Sequence, residues 1–173
     1  MILAIDQATR CGWAVVNDDG SILLSGVWDL AEGHRSGESR GMRYLRFRHK
    51  LDEILGCYPV GMICHEQTLL RGGAATEVAN GLKALILMAA EVYRVEVTSV
   101  HTTELKKWAT GHGNADKRAM VESAERRLGR PVIDDNEADA VLIGLWAFAQ
   151  YGAQKSQLVI MGTSWTIEDP MAE

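Results

Sequence analysis

Residues 1–28 read MILAIDQATRCGWAVVNDDGSILLSGVW and carry the first evidence for the fold. Met1 to Asp6 is an apolar run that ends in a carboxylate, and after a turn of small residues Gly12 to Val16 forms a second β-rich run. Residues 17–20, Asn-Asp-Asp-Gly, are typical of a hairpin turn, so Ile22 to Trp28 is predicted to be a third strand. The chain is therefore expected to open with three antiparallel strands.

The remainder of the chain alternates helical and strand-like patterns. Apolar residues repeat at helical spacing in the helices, whereas the strands are short apolar runs next to turn residues. The predicted segments are helices at Arg40 to Leu55, Glu77 to Tyr93, Thr103 to Ala109, Asp116 to Leu128 and Asn136 to Tyr151, and strands at Val60 to Cys64 and Val95 to Val100. The order β-β-β-α-β-α-β-α, with short helices before the last one, predicts an α/β fold in which helices flank a five-stranded mixed sheet.

The length of 173 residues is that of one domain with a sizeable core. We expect residues 1–151 to form this domain and residues 152–173 to be a tail of the same domain or a contact in a dimer. The tail shows no clear helical pattern, although Leu158 to Met161 could add a strand or cross to a partner subunit. No apolar run approaches the roughly 18 residues that span a bilayer, and the N-terminus does not resemble a signal peptide. We therefore expect a cytoplasmic protein without membrane contact.

Charge and cysteine content exclude some classes of protein. The net charge of −5 is unlike that of a broadly basic nucleic-acid-binding protein. Positive charge is nevertheless concentrated locally, with six basic residues and one acidic residue between Arg35 and Lys50, which we interpret as the solvated face of a helix. Cys11, Cys57 and Cys64 lack the paired spacing of zinc ligands and are predicted to be reduced core residues.

Carboxylates follow two of the predicted strands and begin the last helix. Asp6 and Glu66 each end an apolar strand, and Asp134, Asp135, Glu137 and Asp139 lie at the start of that helix. Functional sites of α/β sheets gather at the carboxyl ends of strands, so these acids are expected to converge. Several carboxylates together provide the oxygen ligands that Mg²⁺ prefers, and two such ions can hydrolyse a phosphodiester.

Each acid taken alone has a structural explanation. Asp6 could cap a turn, Glu66 could form an ion pair, and an aspartate at a helix N-terminus is favourable in itself. The joint pattern is harder to explain structurally, because an unpaired buried carboxylate costs several kcal/mol. The combination favours a metal site.

Four motifs resemble those of one nuclease family. Residues 5–13, IDQATRCGW, are similar to the first motif of the RuvC-type Holliday junction resolvases, and Glu66-Gln67 is similar to their second. Residues 110–117 resemble the glycine-rich link into a lysine-bearing helix, and residues 136–140 resemble the acidic final motif. The order and spacing of these motifs fit the family from residue 1 to about residue 151.

The resemblance implies a ribonuclease H-like fold and a crossover junction endodeoxyribonuclease, an enzyme that nicks four-way or otherwise branched DNA. It implies that Asp6, Glu66 and Asp139 are metal ligands and that Lys117 contacts the scissile phosphate. The implied cofactor is Mg²⁺, with two ions in each site and Mn²⁺ as a substitute. Because resolving a four-way junction needs two active sites, it also implies a homodimer.

One position departs from the family pattern at the metal site. Relatives commonly carry an aspartate where this chain has Asn136. An amide can still ligate a metal, but Asp135 lies four residues before Asp139 on the same helical face and could supply the missing charge. Both Asp135 and Asn136 therefore stay candidates for the fourth metal ligand.

Candidate DNA contacts lie beside the motifs. Where relatives often place a stacking aromatic, this chain has Leu69, which could wedge between bases. Arg71 in a glycine-containing loop could contact phosphate, and Lys106 and Lys107 could contact the DNA backbone. Trp108 is interpreted as a core residue.

Other functions share parts of this pattern. The same carboxylates would suit a ribonuclease H-like enzyme acting on an RNA–DNA hybrid or a structured RNA, and the change at Asn136 would suit a catalytically silent module that binds branched DNA. An actin-like ATPase begins with a similar motif but needs two such domains, for which this chain is too short. The apolar segment from Val78 to Val92 is a candidate dimer interface, although core packing explains it equally well.

Overall fold

A computed structural model describes residues 1–31, 39, 41–67 and 73–160. Ten elements follow one another in the order β-β-β-α-β-α-β-α-α-α, as predicted. The strands are β1 (Ile2–Asp6), β2 (Arg10–Val16), β3 (Ile22–Asp29), β4 (Met62–Glu66) and β5 (Glu96–Val100), and the helices are α1 (Gly41–Cys57), α2 (Ala74–Tyr93), α3 (Thr102–Thr110), α4 (Lys117–Leu128) and α5 (Asp135–Ile160).

The five strands form one mixed sheet in the order β3-β2-β1-β4-β5. β1, β2 and β3 pair antiparallel, which confirms the predicted opening, whereas β4 pairs parallel with both β1 and β5. β1, β4 and β5 therefore all end at the same edge of the sheet. This five-stranded mixed sheet with flanking helices is the α/β architecture expected from the sequence.

Helices cover both faces of the sheet, because side chains alternate along each strand. On β1, Leu3 and Ile5 pack with α1 and α2, whereas Ile2 and Ala4 pack with α3, α4 and α5. The buried apolar residues of the five strands belong to one of these two clusters. The sheet is thus a central layer between helices, and Leu23 and Leu24 of the edge strand β3 are exposed.

Helix α5 lies very close to the sheet, and two glycines make that approach possible. A Cβ atom at Gly12 of β2 would lie 1.9 Å from the backbone oxygen of Asn136, and one at Gly144 would lie 2.6 Å from Val16 Cγ2. The predicted inward-facing residues of this helix are buried or packed against the core, namely Ala138, Val141, Leu142, Leu145 and Trp146. The start of α5 is therefore fixed against β2.

The prediction for the tail was wrong up to residue 160. Helix α5 continues through Gly152 to Ile160, so residues 158–160 are helical and do not form a strand. Because the segment after Gly152 contains good helix formers and no proline, one glycine is not enough to end the helix. Residues 161–173 lie outside the described part of the chain.

The cysteine prediction was wrong at one position. Cys11 and Cys64 are buried free thiols, but Cys57 is exposed because it is the last residue of α1, at the helix surface. Trp108 packs against the core as predicted, with the guanidinium of Arg127 lying 4.7 Å from its ring centre. None of the described helices is long and apolar enough to cross a membrane.

Much of the positive charge on α1 is paired on the helix surface. Arg48 binds the carboxylate of Asp52 at 2.8 Å, and Lys50 binds Glu53 at 3.0 Å. These pairs support the interpretation of the basic segment as a solvated helix face. Arg35 and Arg40 of that segment lie outside the described residues.

Candidate functional site

Two carboxylates lie side by side where neighbouring parallel strands end. β1 and β4 are in register from Ile2 opposite Met62 to Ile5 opposite His65, so Asp6 and Glu66 occupy the next position of each strand. Both residues are partly buried. The convergence expected from the sequence is therefore present for this pair.

The first turns of α5 bring two more carboxylates to the same edge. Asp135 begins the helix and Asp139 lies four residues later, so both are on one side of the helix. The charges of Asp135 and Asp139 both act on Asp6. The structure thus brings together Asp6, Glu66, Asp135 and Asp139, the four predicted acidic ligands.

Burial and mutual repulsion change how these acids ionise. Burial raises the pKa of Asp6 well above its usual range, and the charges of Glu66 and Asp139 raise it further. Burial also raises the pKa of Asp139 to about 7, and the charges of Glu66 and Asp135 add to this shift. Such shifts are typical of functional sites, and here they reflect burial first and the crowding of acidic groups second.

Two of the predicted lysines face the cluster. Lys117, the first residue of α4, donates a hydrogen bond from Nζ to Oδ2 of Asp135. The charges of Lys106 and Lys117 both lower the pKa of Asp139. Lys107 is exposed at the next position of α3, which turns its side chain by about 100° from that of Lys106.

Asn136 is engaged away from the cluster. Its backbone N–H donates to Oδ1 of Asp134 at 2.9 Å, and its side chain also hydrogen-bonds the Asp134 carboxylate. The Asp134 carboxylate in turn binds Arg10 Nη2 at 2.8 Å. The amide of Asn136 thus belongs to the cap of α5, whereas Asp135 lies among the acids.

Two residues of the site were missed by sequence reasoning. Thr102 Oγ1 donates to Glu66 Oε1 at 2.5 Å, and the side-chain amide of Gln7 donates to the backbone oxygen of Glu66. Gln7 directly follows Asp6, and Thr102 follows the end of β5. The rule that strand ends carry function could have found both, had it been applied to polar residues other than acids.

The donor set fits a hard divalent cation with an open coordination sphere. Among residues 1–31, 39, 41–67 and 73–160, no group of three or more His, Cys, Asp or Glu side chains is arranged so that it could hold a metal ion on its own. Mg²⁺ does not need one, because it usually binds through one or two carboxylates and keeps water or substrate phosphate as its other ligands. Burial and neighbouring acids raise the pKa of Asp6 and of Asp139, and a bound cation would favour the ionised form of both groups.

The His65 ring, next to Glu66, is engaged by the backbone. His65 is buried between the strands, and its Nδ1 lies 2.8 Å from the backbone oxygen of Glu66. Burial lowers its pKa, so the ring is neutral and held in place. The predicted DNA contacts Leu69 and Arg71 lie outside the described residues.

Solved structures share the fold. Thermus thermophilus RuvC in complex with a Holliday junction substrate superimposes with a TM-score of 0.72 over 90% of this chain and 96% of that one, at 21% identity. The fowlpox virus resolvase bound to Holliday junction DNA superimposes with a TM-score of 0.56 at 10% identity. Both superpositions cover most of each chain.

Curated relatives share the sequence as well as the fold. The chain matches no family model. It is 27% identical over 148 residues to the crossover junction endodeoxyribonuclease RuvC of Brachyspira hyodysenteriae, covering 90% of that protein. It is 30% identical over 149 residues to the crossover junction endodeoxyribonuclease RuvC of Rubrobacter xylanophilus, covering 83% of that protein and 84% of this chain. With the acids at the strand ends and the order of the elements, this places the chain in the RuvC family of crossover junction endodeoxyribonucleases.

Proposed function

We propose that this protein is an endonuclease that nicks four-way DNA junctions, and other branched DNA, by metal-dependent phosphodiester hydrolysis. The observation that carries the proposal is the carboxylate cluster at the ends of β1 and β4, faced by Asp139 and by two lysines. Relatives are named crossover junction endodeoxyribonucleases, and nucleases of this family depend on a metal. The structure of T. thermophilus RuvC with a Holliday junction supports the choice of substrate.

In this proposal Asp6, Glu66 and Asp139 hold two Mg²⁺ ions, for which Mn²⁺ substitutes. When bound, such ions neutralise charge on the phosphate and lower the pKa of the attacking water. The protein orients the ligands: Thr102 holds one oxygen of Glu66, and the amide of Gln7 ties the ends of β1 and β4 together. No nucleophilic side chain is needed.

Asp135 is proposed as the fourth metal ligand in preference to Asn136. Asp135 acts on both Asp6 and Asp139, whereas the amide of Asn136 is engaged by Asp134. Lys117 donates a hydrogen bond from Nζ to the Asp135 carboxylate. Lys117 is proposed to exchange this contact for the scissile phosphate, where its charge stabilises the transition state.

The DNA backbone is proposed to follow α3 and the start of α4. Lys106 and Lys117 provide positive charge next to the carboxylates, and Lys107 extends it along the exposed face of α3. Because each phosphate contact releases counterions, junction binding should weaken steeply with salt. Leu69 as a wedge and Arg71 as a phosphate contact stay predictions, as does a cytoplasmic location.

A homodimer is proposed because two equivalent strands must be cut. The apolar helix α2 leaves Leu87, Met88 and Val92 exposed, with 47%, 45% and 62% of each residue accessible. Such a row on one helix is typical of a protein interface. Residues 1–151 then act as the nuclease domain, and residues 152–173 belong to the same domain or to the dimer contact.

The substrate is tested by incubating the protein in Mg²⁺ with a labelled four-way junction, a linear duplex and an RNA–DNA hybrid. We expect paired, symmetric nicks in the junction alone, and none with the Asp139→Asn variant. Cleavage of the RNA–DNA hybrid alone would support the proposed metal site and contradict the proposed substrate. Junction binding without cutting in Mg²⁺ or Mn²⁺ would identify a silent binding module.

A further inference from the structure

Glu137 is a carboxylate of α5 that the proposed reaction does not use. It is fully buried, with 0% of the residue accessible. Its oxygens accept hydrogen bonds from Ser25 Oγ at 2.7 Å, Arg130 Nη2 at 2.8 Å and the backbone N–H of Ile133 at 2.5 Å. Three hydrogen-bond donors therefore satisfy both oxygens of this buried carboxyl group.

The partners of Glu137 come from three parts of the molecule. Ser25 lies on the edge strand β3, Arg130 and Ile133 lie on the loop between α4 and α5, and Glu137 lies in the first turn of α5. Arg130 Nη2 also donates to Ser25 Oγ at 2.8 Å, which closes the network. A buried polar group is costly unless it is hydrogen-bonded, so the helix is favoured in the orientation that keeps all three contacts.

This orientation is also the one that presents the acids of α5. Glu137 is two residues from both Asp135 and Asp139, and two residues correspond to about 200° around a helix. The network therefore holds one side of the helical turn while the other side faces Asp6. A rotation of this turn about the helix axis would disturb the Glu137 network and the acidic cluster together.

We propose that Glu137 is a positioning residue: its network with Ser25 and Arg130 sets the rotation of the first turn of α5 and thereby the approach of Asp135 and Asp139 to Asp6. This inference depends on the proposed metal-dependent function. A second tie, between Arg10 and Asp134, is more exposed, with 55% and 22% of the two side chains accessible. Glu137 is therefore the stronger determinant of the geometry.

The test measures Mn²⁺ affinity of the full chain by electron paramagnetic resonance, without DNA. Ser25→Ala and Glu137→Gln are each expected to weaken Mn²⁺ binding by about 10-fold, the usual effect of removing a partner that orients a metal ligand. Ser25→Thr keeps a hydroxyl and should restore the wild-type affinity. Tyr151→Phe is the matched control, because it removes a hydroxyl that joins the far end of α5 to Thr98 of the sheet; its affinity should be unchanged.

Thermal unfolding of the same variants separates positioning from stability. Ser25→Ala and Glu137→Gln could lower the Tm and yet bind Mn²⁺ within about two-fold of wild type, on the order of the error of such measurements. That result would overturn the proposal and leave Glu137 with a purely structural role. If Glu137→Gln does not fold, the Mn²⁺ affinities of Ser25→Ala and Ser25→Thr are sufficient to test the positioning role. The Asp139→Asn variant distinguishes a failure of the proposed metal site from a failure of the positioning role of Glu137. If Asp139→Asn binds Mn²⁺ as well as wild type, the proposed metal site is wrong and the positioning role fails with it.

Discussion

At the scale of single residues, the ionisation of Asp139 makes the stability of the native protein depend on pH. Its pKa of about 7 lies far above that of an aspartate in an unfolded chain, about 3.9. Between these two values the native protein holds a proton that the unfolded chain has lost. The contribution of Asp139 to native stability therefore falls as the pH rises from about 4 to 7.

Asp139→Asn is expected to stabilise the metal-free protein at pH 8 by about 1–2 kcal/mol, because it removes a carboxylate that must ionise beside Glu66 and Asp135. Urea unfolding at pH 8 and pH 5 measures the effect, and the difference from wild type should shrink at the lower pH. An unstable Asp139→Asn at pH 8 would show that this carboxylate is satisfied without a metal.

Residue roles at the site were only partly predictable. Asp6 and Glu66 follow from the strand ends, which a sequence displays directly, whereas Asp139 was singled out among the acids of the last helix by the family resemblance. The direction in which a polar side chain points cannot be read from the sequence in this way. Whether Asn136 faces the acids or caps the helix depends on the contact between Arg10 and Asp134, which are 124 positions apart in the sequence. The bond from Thr102 to Glu66 is equally invisible until the strands are ordered.

At the scale of secondary-structure elements, α5 links the core to the site. It contacts β1, β2, β3 and β4 through small residues, and its first turns carry two of the acids. The apolar period of this helix predicted its buried face correctly, because burial follows spacing. Its end was predicted at Tyr151, but the helix continues through Gly152, since a single glycine costs only about 1 kcal/mol inside a helix.

Gly12→Ala is expected to displace the start of α5, because the new Cβ would lie 1.9 Å from the backbone oxygen of Asn136. We expect destabilisation of about 2–4 kcal/mol and loss of junction cleavage. Chemical denaturation and a cleavage assay measure the two effects.

Gly56→Ala is the control, since nothing lies within 4 Å of its Cβ position in α1. It should stabilise the protein by about 0.5–1 kcal/mol and leave cleavage intact. Full activity in Gly12→Ala would contradict the account of α5 as the element that positions the acids.

At the scale of the whole molecule, the proposed homodimer places two sites on one junction. Val92→Glu puts a charge in the exposed apolar row of α2, where 62% of Val92 is accessible. We expect it to shift sedimentation from dimer to monomer without lowering the Tm of the monomer, because the side chain is not in the core.

Leu23→Glu on the edge strand β3 is the matched control, with 41% of Leu23 accessible. It should leave the dimer unchanged. A dimer that survives Val92→Glu and dissociates with Leu23→Glu would move the interface to the edge of the sheet.

The central claim is that the carboxylate cluster is the metal-dependent cutting site. It is tested most directly by comparing wild type and Asp6→Asn for binding and for single-turnover cleavage of a four-way junction in Mg²⁺. We predict similar junction affinity and cleavage slower by roughly a thousand-fold or more, equivalent to about 4 kcal/mol of transition-state stabilisation. Cleavage by Asp6→Asn at the wild-type rate would contradict the account and place the active site elsewhere.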